Sequence, residues 1–288
     1  MVDICCVGHI TLDKVITPSS EAHMPGGTSF YFSNALAQFD IQYALLTALG
    51  KEEEYIVSEL KKKGIRVKCI ESSHTVCFEN IYGENTDHRT QRVTQKADPF
   101  KSTHIEGIDA KIYHLGPLLA DDIPLELIHA AAGKGIVSLD AQGYLRKVEN
   151  QQVLPVDWPE KRRALAGLDI LKANEYETEV LTGTSDLRRG AVALAEMGVK
   201  EVIITLGSMG SLIYKDETFY DIPAYKPRRI VDATGCGDTY MAGYLYKKSK
   251  GAGIREAAEF AAAMATLKIE TSGPFTGTPG EVEKVLLA

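Results

Sequence analysis

Short, largely apolar runs closed by a glycine or a polar residue recur along this chain, and segments with helical spacing separate them. Val2–Val7 ends at Gly8, and Tyr43–Leu49 ends at Gly50. Both predict buried strands. After Gly50 come Glu52, Glu53 and Glu54, then Ile56 and Leu60 four residues apart, then Lys61 to Lys63 and Gly64. Acid first, base last and glycine after mark a helix at both ends. Further strands are predicted at 111–115, 136–140, 169–172 and 201–206, with helices at 125–133, 176–182 and 187–197. Such alternation requires an α/β fold, a mostly parallel sheet covered by helices on both faces, whose ligands lie beyond the carboxyl ends of its strands.

Residues 75–94 break the alternation. Two β-rich stretches about Gly83-Glu-Asn-Thr-Asp87 predict an inserted hairpin, which residues 13–17 join in a small sheet. No repeat and no Pro/Ser-rich linker divides the 288 residues, so one domain over 1–288 is expected.

Composition excludes several function classes. With 32 basic and 39 acidic residues the net charge is −7, which offers no overall attraction to nucleic acid or to anionic membrane. No apolar segment reaches the roughly 20 residues that span a bilayer. The start, Met1-Val-Asp-Ile-Cys-Cys-Val-Gly8, lacks a basic region and is expected to be a strand, not a signal peptide. Cys5, Cys6, Cys69, Cys77 and Cys236 are an odd number without Cys-x-x-Cys spacing, so reduced thiols and a cytoplasmic protein are expected. Adjacent Cys5 and Cys6 should face opposite sides of their strand. Neither Gly-(x)4-Gly-Lys-Ser/Thr nor Gly-x-Gly-x-x-Gly occurs, and the histidines lack paired metal spacing.

The densest chemical signal is Asp232-Ala-Thr-Gly-Cys-Gly-Asp238, which opens an apparent helix. Gly235 and Gly237 permit a tight turn with exposed amides, and a helix N-terminus attracts an anion. Asp238 at its edge can take a proton from an alcohol that attacks phosphorus. A plain glycine turn with Asp238 as helix cap uses the same residues.

Other motifs stand at predicted strand ends. Pro25-Gly26-Gly27 precedes a helix on which Phe30, Asn34 and Ala37 share a face, with Ser29 as an alternative simple N-cap. Gly8-His-Ile-Thr-Leu-Asp13 presents a carboxylate, and Asp140 closes its strand in Leu-Asp-Ala-Gln142. Lys172-Ala-Asn174-Glu-Tyr-Glu177 places Asn three residues before Glu, which is also a helix capping box. Thr205-Leu-Gly207-Ser-Met-Gly210 is a glycine-rich turn after an apolar strand. Small residues at 257, 258, 261, 262 and 265 form one helix face, suited to close packing in the core or beside a nucleotide.

Taken in order across positions 8–238, these motifs resemble those of the ribokinase-like (PfkB) carbohydrate kinases, whose signature is approximately Asp-Thr-x-Gly-Ala-Gly-Asp. The resemblance implies a three-layer α/β/α fold with a small β-sheet lid, here about 10–20 and 74–96, which often makes a homodimer contact. It implies an ATP-dependent kinase acting on a small polyol or sugar, with Asp238 as base and Gly235, Cys236 and Gly237 as anion hole. Asp13, Gly26, Gly27, Asn34 and Asp140 are then substrate residues, and Thr205, Gly207 and Gly210 hold the nucleotide. Asn174 and Glu177 organise Mg²⁺ through water, and Asp232 stands at the position associated with a monovalent cation, K⁺. Ala233 and Cys236 depart from the pattern. Beside a helix N-terminus the Cys236 thiol is expected to have a lowered pKa and to be sensitive to oxidants.

Gly26-Gly27-Thr28-Ser29-Phe30 with Asn34, His88-Arg89-x-x-Arg92-Val93, Asp98-Pro99, Leu139-Asp-Ala-Gln142 with Arg146, and Leu171-Lys-Ala173 resemble inositol kinases of this superfamily. That likeness implies myo-inositol as acceptor. The alternatives are a nucleoside kinase with Phe30, Tyr31 and Phe32 around a base, a pentose or hexose kinase, and a non-catalytic sugar-binding regulator.

Overall fold

The computed structural model describes residues 1–17, 20–82 and 89–287. Alternation along its first strand decides the layering. In β1 (Val2–Val7), Cys5 joins a core with Tyr113, Val137 and Leu194, and Cys6 joins a second core with Phe32, Met241 and Ala261. The two cysteines therefore face opposite sides of one sheet, as alternation requires. All five cysteines are free thiols.

After β1 come β2 (Thr11–Thr17), β3 (Ser20–Gly26), α1 (Thr28–Leu36), β4 (Tyr43–Leu49), α2 (Glu54–Lys62), β5 (Arg66–Glu71), β6 (Cys77–Tyr82), β7 (Arg89–Gln95), β8 (Ala110–Leu115), α3 (Leu125–Ala132) and β9 (Ile136–Asp140). The second half adds β10 (Arg146–Glu149), β11 (Gln152–Pro155), α4 (Lys161–Leu165), β12 (Ile170–Asn174), α5 (Glu175–Thr182), α6 (Leu187–Glu196), β13 (Glu201–Thr205), β14 (Ser211–Lys215), β15 (Thr218–Ile222), α7 (Cys236–Ser249), α8 (Ile254–Ile269) and α9 (Pro279–Leu286).

Nine strands form the main sheet in the order β15-β14-β13-β12-β9-β8-β1-β4-β5. From β13 to β5 every pairing is parallel, and β14 and β15 add an antiparallel edge. The chain lays β4 and β5 on one side of β1 and the later parallel strands on the other. Such a reversal opens a crevice at the strands' carboxyl ends. Helices α3 to α6 cover the face that holds Cys5, and α1, α2, α7, α8 and α9 cover the other. On α8, Ala257, Ala258 and Ala261 are wholly buried, and a Cβ added at Gly243 of α7 would lie 3.2 Å from Ala261 Cα. The small-residue face thus makes a close helix–helix contact with α7.

The second sheet has six strands in the order β10-β11-β7-β6-β2-β3. Strands β2, β6 and β7 fall in the segments the sequence marked, while the turn at 83–87 lies outside the described residues, as does His88. The β10–β11 hairpin escaped the sequence reading. Its two-residue turn is Asn150-Gln151, with φ of 49° and 65°, so the glycine that normally signals this turn is missing. A small apolar core of Val76, Phe78, Val93, Leu118 and Leu119 lies beneath this sheet.

Candidate active site

The turn into α7 is shaped by one backbone angle. Gly235 has φ 76°, and a Cβ there would lie 2.2 Å from Tyr31 Cδ1. Only glycine satisfies both the left-handed conformation and the ring. The Cys236 amide donates to the Ala233 carbonyl at 3.2 Å, closing the turn, so this amide is not offered to a ligand as the motif suggested. Among the described residues no backbone carbonyl accepts from the amides of Gly237 and Asp238. They are the unpaired donors of a helix start.

Asp238 lies in the first turn of α7, half-buried, and its carboxylate hydrogen-bonds with Thr28 at the start of α1. Burial pushes its pKa up to about 6 and Asp140 adds to the rise, against the pull of Lys172, the Thr28 hydroxyl and Arg146. A carboxyl group raised to this range takes up a proton readily near neutrality.

Lys172 was not proposed as a site residue from the sequence. It stands in register with Asp140 on the paired strands β12 and β9, with 3.0 Å between Nζ and Oδ2 and both side chains nearly inaccessible. A Cβ added at Gly237 would lie 3.5 Å from this Nζ, so the ammonium adjoins the exposed amides of α7. Burial alone would favour loss of its proton, but Asp140, Glu177 and Asp238 hold it charged, with its pKa above the usual lysine value. The available signal was a lysine inside the apolar run Ile170-Leu-Lys-Ala, at a strand's carboxyl end.

A cavity of about 1010 Å³ opens over these groups. Of the residues proposed from sequence, Asp13 and Gly27 line it from the second sheet and the loop into α1, and Asp140, Asn174 and Thr205 from the ends of β9, β12 and β13. Gly207, Asp232, Gly235, Gly237 and Asp238 complete the group. Asp13 and Asp238, from near opposite ends of the sequence, thus converge on one hollow.

Five others do not line it. Gly26 sits behind Asp13: a Cβ there would meet Asp13 Oδ2 at 2.7 Å and Thr11 Oγ1 at 2.8 Å, so its role is close approach. Asn34 is buried in α1, donating from Nδ2 to the Phe30 carbonyl at 2.8 Å and accepting at Oδ1 from Lys63 at 2.5 Å. Its amide joins α1 to the end of α2. Gly210, with φ 98°, would place a Cβ 2.0 Å from the Ile222 carbonyl oxygen, so it serves the β13–β14 turn. The Cys236 thiol points to the Ala265 carbonyl at 3.8 Å, and burial drives its pKa up to about 11, against the lowered value expected.

Glu177 is the fifth. It closes a reciprocal capping box with Asn174, 2.8 Å in each direction, and burial raises its pKa despite Lys172. Glu175, passed over in sequence, lines the cavity instead. Among the described residues no cluster of three or more His, Cys, Asp or Glu could hold a metal alone. Asn174 with Glu175 and Glu177 fits Mg²⁺ as an ion that arrives with phosphate oxygens and keeps its waters.

Thr11, Asn80, Gln91 and Arg146 also line the cavity without having been proposed as site residues. Gln91 donates to Asn80 Oδ1 at 3.0 Å, whereas Arg92 is exposed. Thr11 Oγ1 is buried and has no hydrogen-bond partner among the described residues. Such a hydroxyl favours a polar ligand group. Of the three aromatics considered for a base pocket, Tyr31 lines the cavity but packs on Gly235, while Phe32 is in the core, stacked on His114 at 4.7 Å.

Comparison with known proteins agrees with this geometry. A family model described as pfkB family carbohydrate kinase matches residues 1–280. A cytidine kinase from Thermococcus kodakarensis is 28% identical over 265 residues, covering 89% of this chain and 92% of that protein. The solved structure of a pyrophosphate-dependent kinase in the ribokinase family, complexed with a pyrophosphate analog and myo-inositol, is 28% identical with a TM-score of 0.87, covering 98% of this chain and 99% of that one. The Arabidopsis thaliana ribokinase complexed with ribose and ATP, at 20% identity and TM-score 0.82 over 99% of this chain and 98% of its own, shares the fold. Among the described residues no helix is long and apolar enough to cross a membrane.

Proposed function

This chain belongs to the pfkB family of carbohydrate kinases, and we propose that it transfers a phosphoryl group from ATP to a hydroxyl of a small polyol, with myo-inositol as acceptor. It is a carbohydrate or nucleoside kinase, not a silent sugar-binding regulator. The observation that carries the acceptor reading is the polar lining where the second sheet meets the main one. Asp13, Asn80, Gln91 and the buried Thr11 hydroxyl offer donors and acceptors suited to a ring of hydroxyls. The structural relative that contains myo-inositol supports it.

In this reading the acceptor oxygen attacks the terminal phosphorus in line, its proton passes to Asp238, and the bridging P–O bond to the donor breaks. The carboxyl group raised to about 6 is ionised at neutral pH and basic enough to take that proton. Thr28 orients it. The amides of Gly237 and Asp238, with the Lys172 ammonium beside them, stabilise charge that develops on the moving group. Asn174 and Glu175 at the cavity wall, with Glu177 behind them acting through water, would hold a Mg²⁺ ion, which would supply neutralisation of phosphate charge.

A second reading of the donor has its own support. Lys172 and Arg146 bring two cationic side chains to the cavity, and the 28%-identical structural relative is a pyrophosphate-dependent kinase. Inorganic pyrophosphate presents two phosphates and no base, so recognition would rest on such cations.

Phosphorus NMR on reactions that pair ATP or pyrophosphate with myo-inositol, ribose, fructose or cytidine separates these readings. An inositol monophosphate formed with either donor supports the polyol assignment and names the donor. Cytidine monophosphate as the preferred product overturns it.

A further inference from the structure

The family resemblance assigns Asp232 to a monovalent cation, and the structure fills that place with a side chain. Lys268, in the last turn of α8, is wholly inaccessible to solvent. Its ammonium donates to the Asp232 carbonyl at 2.9 Å and to the Thr271 carbonyl at 3.3 Å, and lies 3.6 Å from Asp232 Oδ2. Two carbonyl oxygens and a carboxylate about one positive charge are the surroundings a bound potassium ion seeks. A buried ammonium needs such compensation, and it has three protons to distribute.

The two Asp232 oxygens belong to the turn that shapes the anion hole, and the Thr271 carbonyl comes from the chain just after α8. The amides of Val231 and Asp232 both donate to the Ile269 carbonyl, at 2.8 and 3.2 Å, which laces the turn to the end of α8. The Thr234 amide donates to Asp232 Oδ1 at 2.9 Å, and Gly235 follows directly into α7. Whatever cation holds the Asp232 carbonyl inward also fixes the peptides that lead to Gly237 and Asp238. Because Lys268 Nζ is delivered by the fold itself, a second cation on the same oxygens would meet like charge in a buried space.

We propose that Lys268 is a tethered replacement for a monovalent cation, a positioning residue that holds the 232–235 turn and frees the enzyme from any potassium requirement. It rests on the kinase reading for its kinetic consequence only. Its consequence for folding stands apart from substrate identity.

The test compares wild type with Lys268→Ala and Lys268→Met in KCl, NaCl and tetramethylammonium chloride at equal ionic strength, by melting temperature and by turnover. Wild type is expected to melt and turn over alike in all three salts. Lys268→Ala, with space for an ion, should gain thermal stability in KCl specifically and recover kcat there by about 5- to 150-fold, the usual span of coupling between two linked sites. The longer apolar side chain of Lys268→Met should leave both low in every salt. A wild-type enzyme activated or stabilised by potassium over tetramethylammonium overturns the proposal, and that arm holds if neither variant folds. The expected melting pattern without turnover on any polyol supports the role of Lys268 while rejecting the proposed reaction. A Lys268→Ala protein that folds but shows no potassium-specific change in melting refutes the replacement.

Discussion

Lys172 and Asp140 face each other across adjacent parallel strands, in register, with 3.0 Å between ammonium and carboxylate beneath the start of α7. Their pairing keeps a cation charged in a place that burial would otherwise neutralise. Its position beside Gly237 makes it available to a phosphoryl group without further movement of the backbone.

If Lys172 stabilises the transition state, Lys172→Met should lower kcat by about 10²- to 10³-fold, as for loss of one preorganised anion-hole donor. Leaving Asp140 buried and unpaired should also destabilise the fold by about 3–5 kcal/mol. The double variant Lys172→Met/Asp140→Asn separates the two effects, since it should regain stability on denaturant unfolding and stay inactive. Recovery of turnover in the double variant would make the pair purely structural.

Asp238 ties activity and stability to pH with opposite signs. In the proposed reaction Asp238 must be ionised to accept the proton, so kcat/KM should decline below about pH 6. Asp238→Asn should lower kcat by about 10²- to 10⁴-fold and remove that limb. The folded state holds this proton more tightly than the unfolded chain. The associated stability is therefore complete below the unfolded value of 3.8 and lost as pH rises through about 6. Asp238→Asn should accordingly raise the melting temperature relative to wild type more at pH 7.5 than at pH 4. Equal differences at both values would contradict the raised pKa.

The parts legible in the sequence were those written locally. Apolar runs ending at Gly8 and Gly50 announced strands, and the Gly235-Cys-Gly237 turn announced a helix start, because a few adjacent residues carry each signal. Thr11, Asn80 and Gln91 carried no local sign of a shared site: they come from three different strands, and only sheet order brings them to one cavity. Asn34 shows the converse. The family resemblance made it a substrate residue, but Lys63 at the end of α2 takes its oxygen. Likewise Asn174 and Glu177 carried both a capping and a ligand meaning, and the hydrogen bonds establish the first without excluding water-mediated contact by the second.

Gly235→Ala should be costly on two counts. A methyl group would overlap the Tyr31 ring, and φ 76° is unfavourable for alanine. We expect a loss of about 1–3 kcal/mol from the backbone alone, measured by chemical denaturation. Adding Tyr31→Ala should relieve the overlap and leave the backbone part, so the loss on Gly235→Ala should be smaller in the Tyr31→Ala background than in wild type. If it is not, the ring is not what excludes a side chain.

Asn34→Ala should lower stability by about 1–3 kcal/mol through loss of the hydrogen bonds to Phe30 and Lys63. Since the side chain is absent from the cavity wall, KM for the acceptor should not change. An acceptor KM raised tenfold with unchanged stability would restore the substrate role that the sequence suggested.

Cys236 offers a direct contest between helix dipole and burial. The dipole at the start of α7 and Lys268 favour the thiolate, yet burial dominates, with Asp232 and Asp238 adding to it, and the thiol rises to about 11. At pH 7.5 it is therefore protonated and a poor nucleophile toward peroxide. Wild type and Cys236→Ala should lose activity at the same rate in hydrogen peroxide, and mass spectrometry should find Cys236 unmodified while the protein stays folded. Faster inactivation of wild type, with a sulfenic or sulfinic adduct on Cys236, would mean that the dipole prevails and that the turn carries an oxidant-sensitive switch after all.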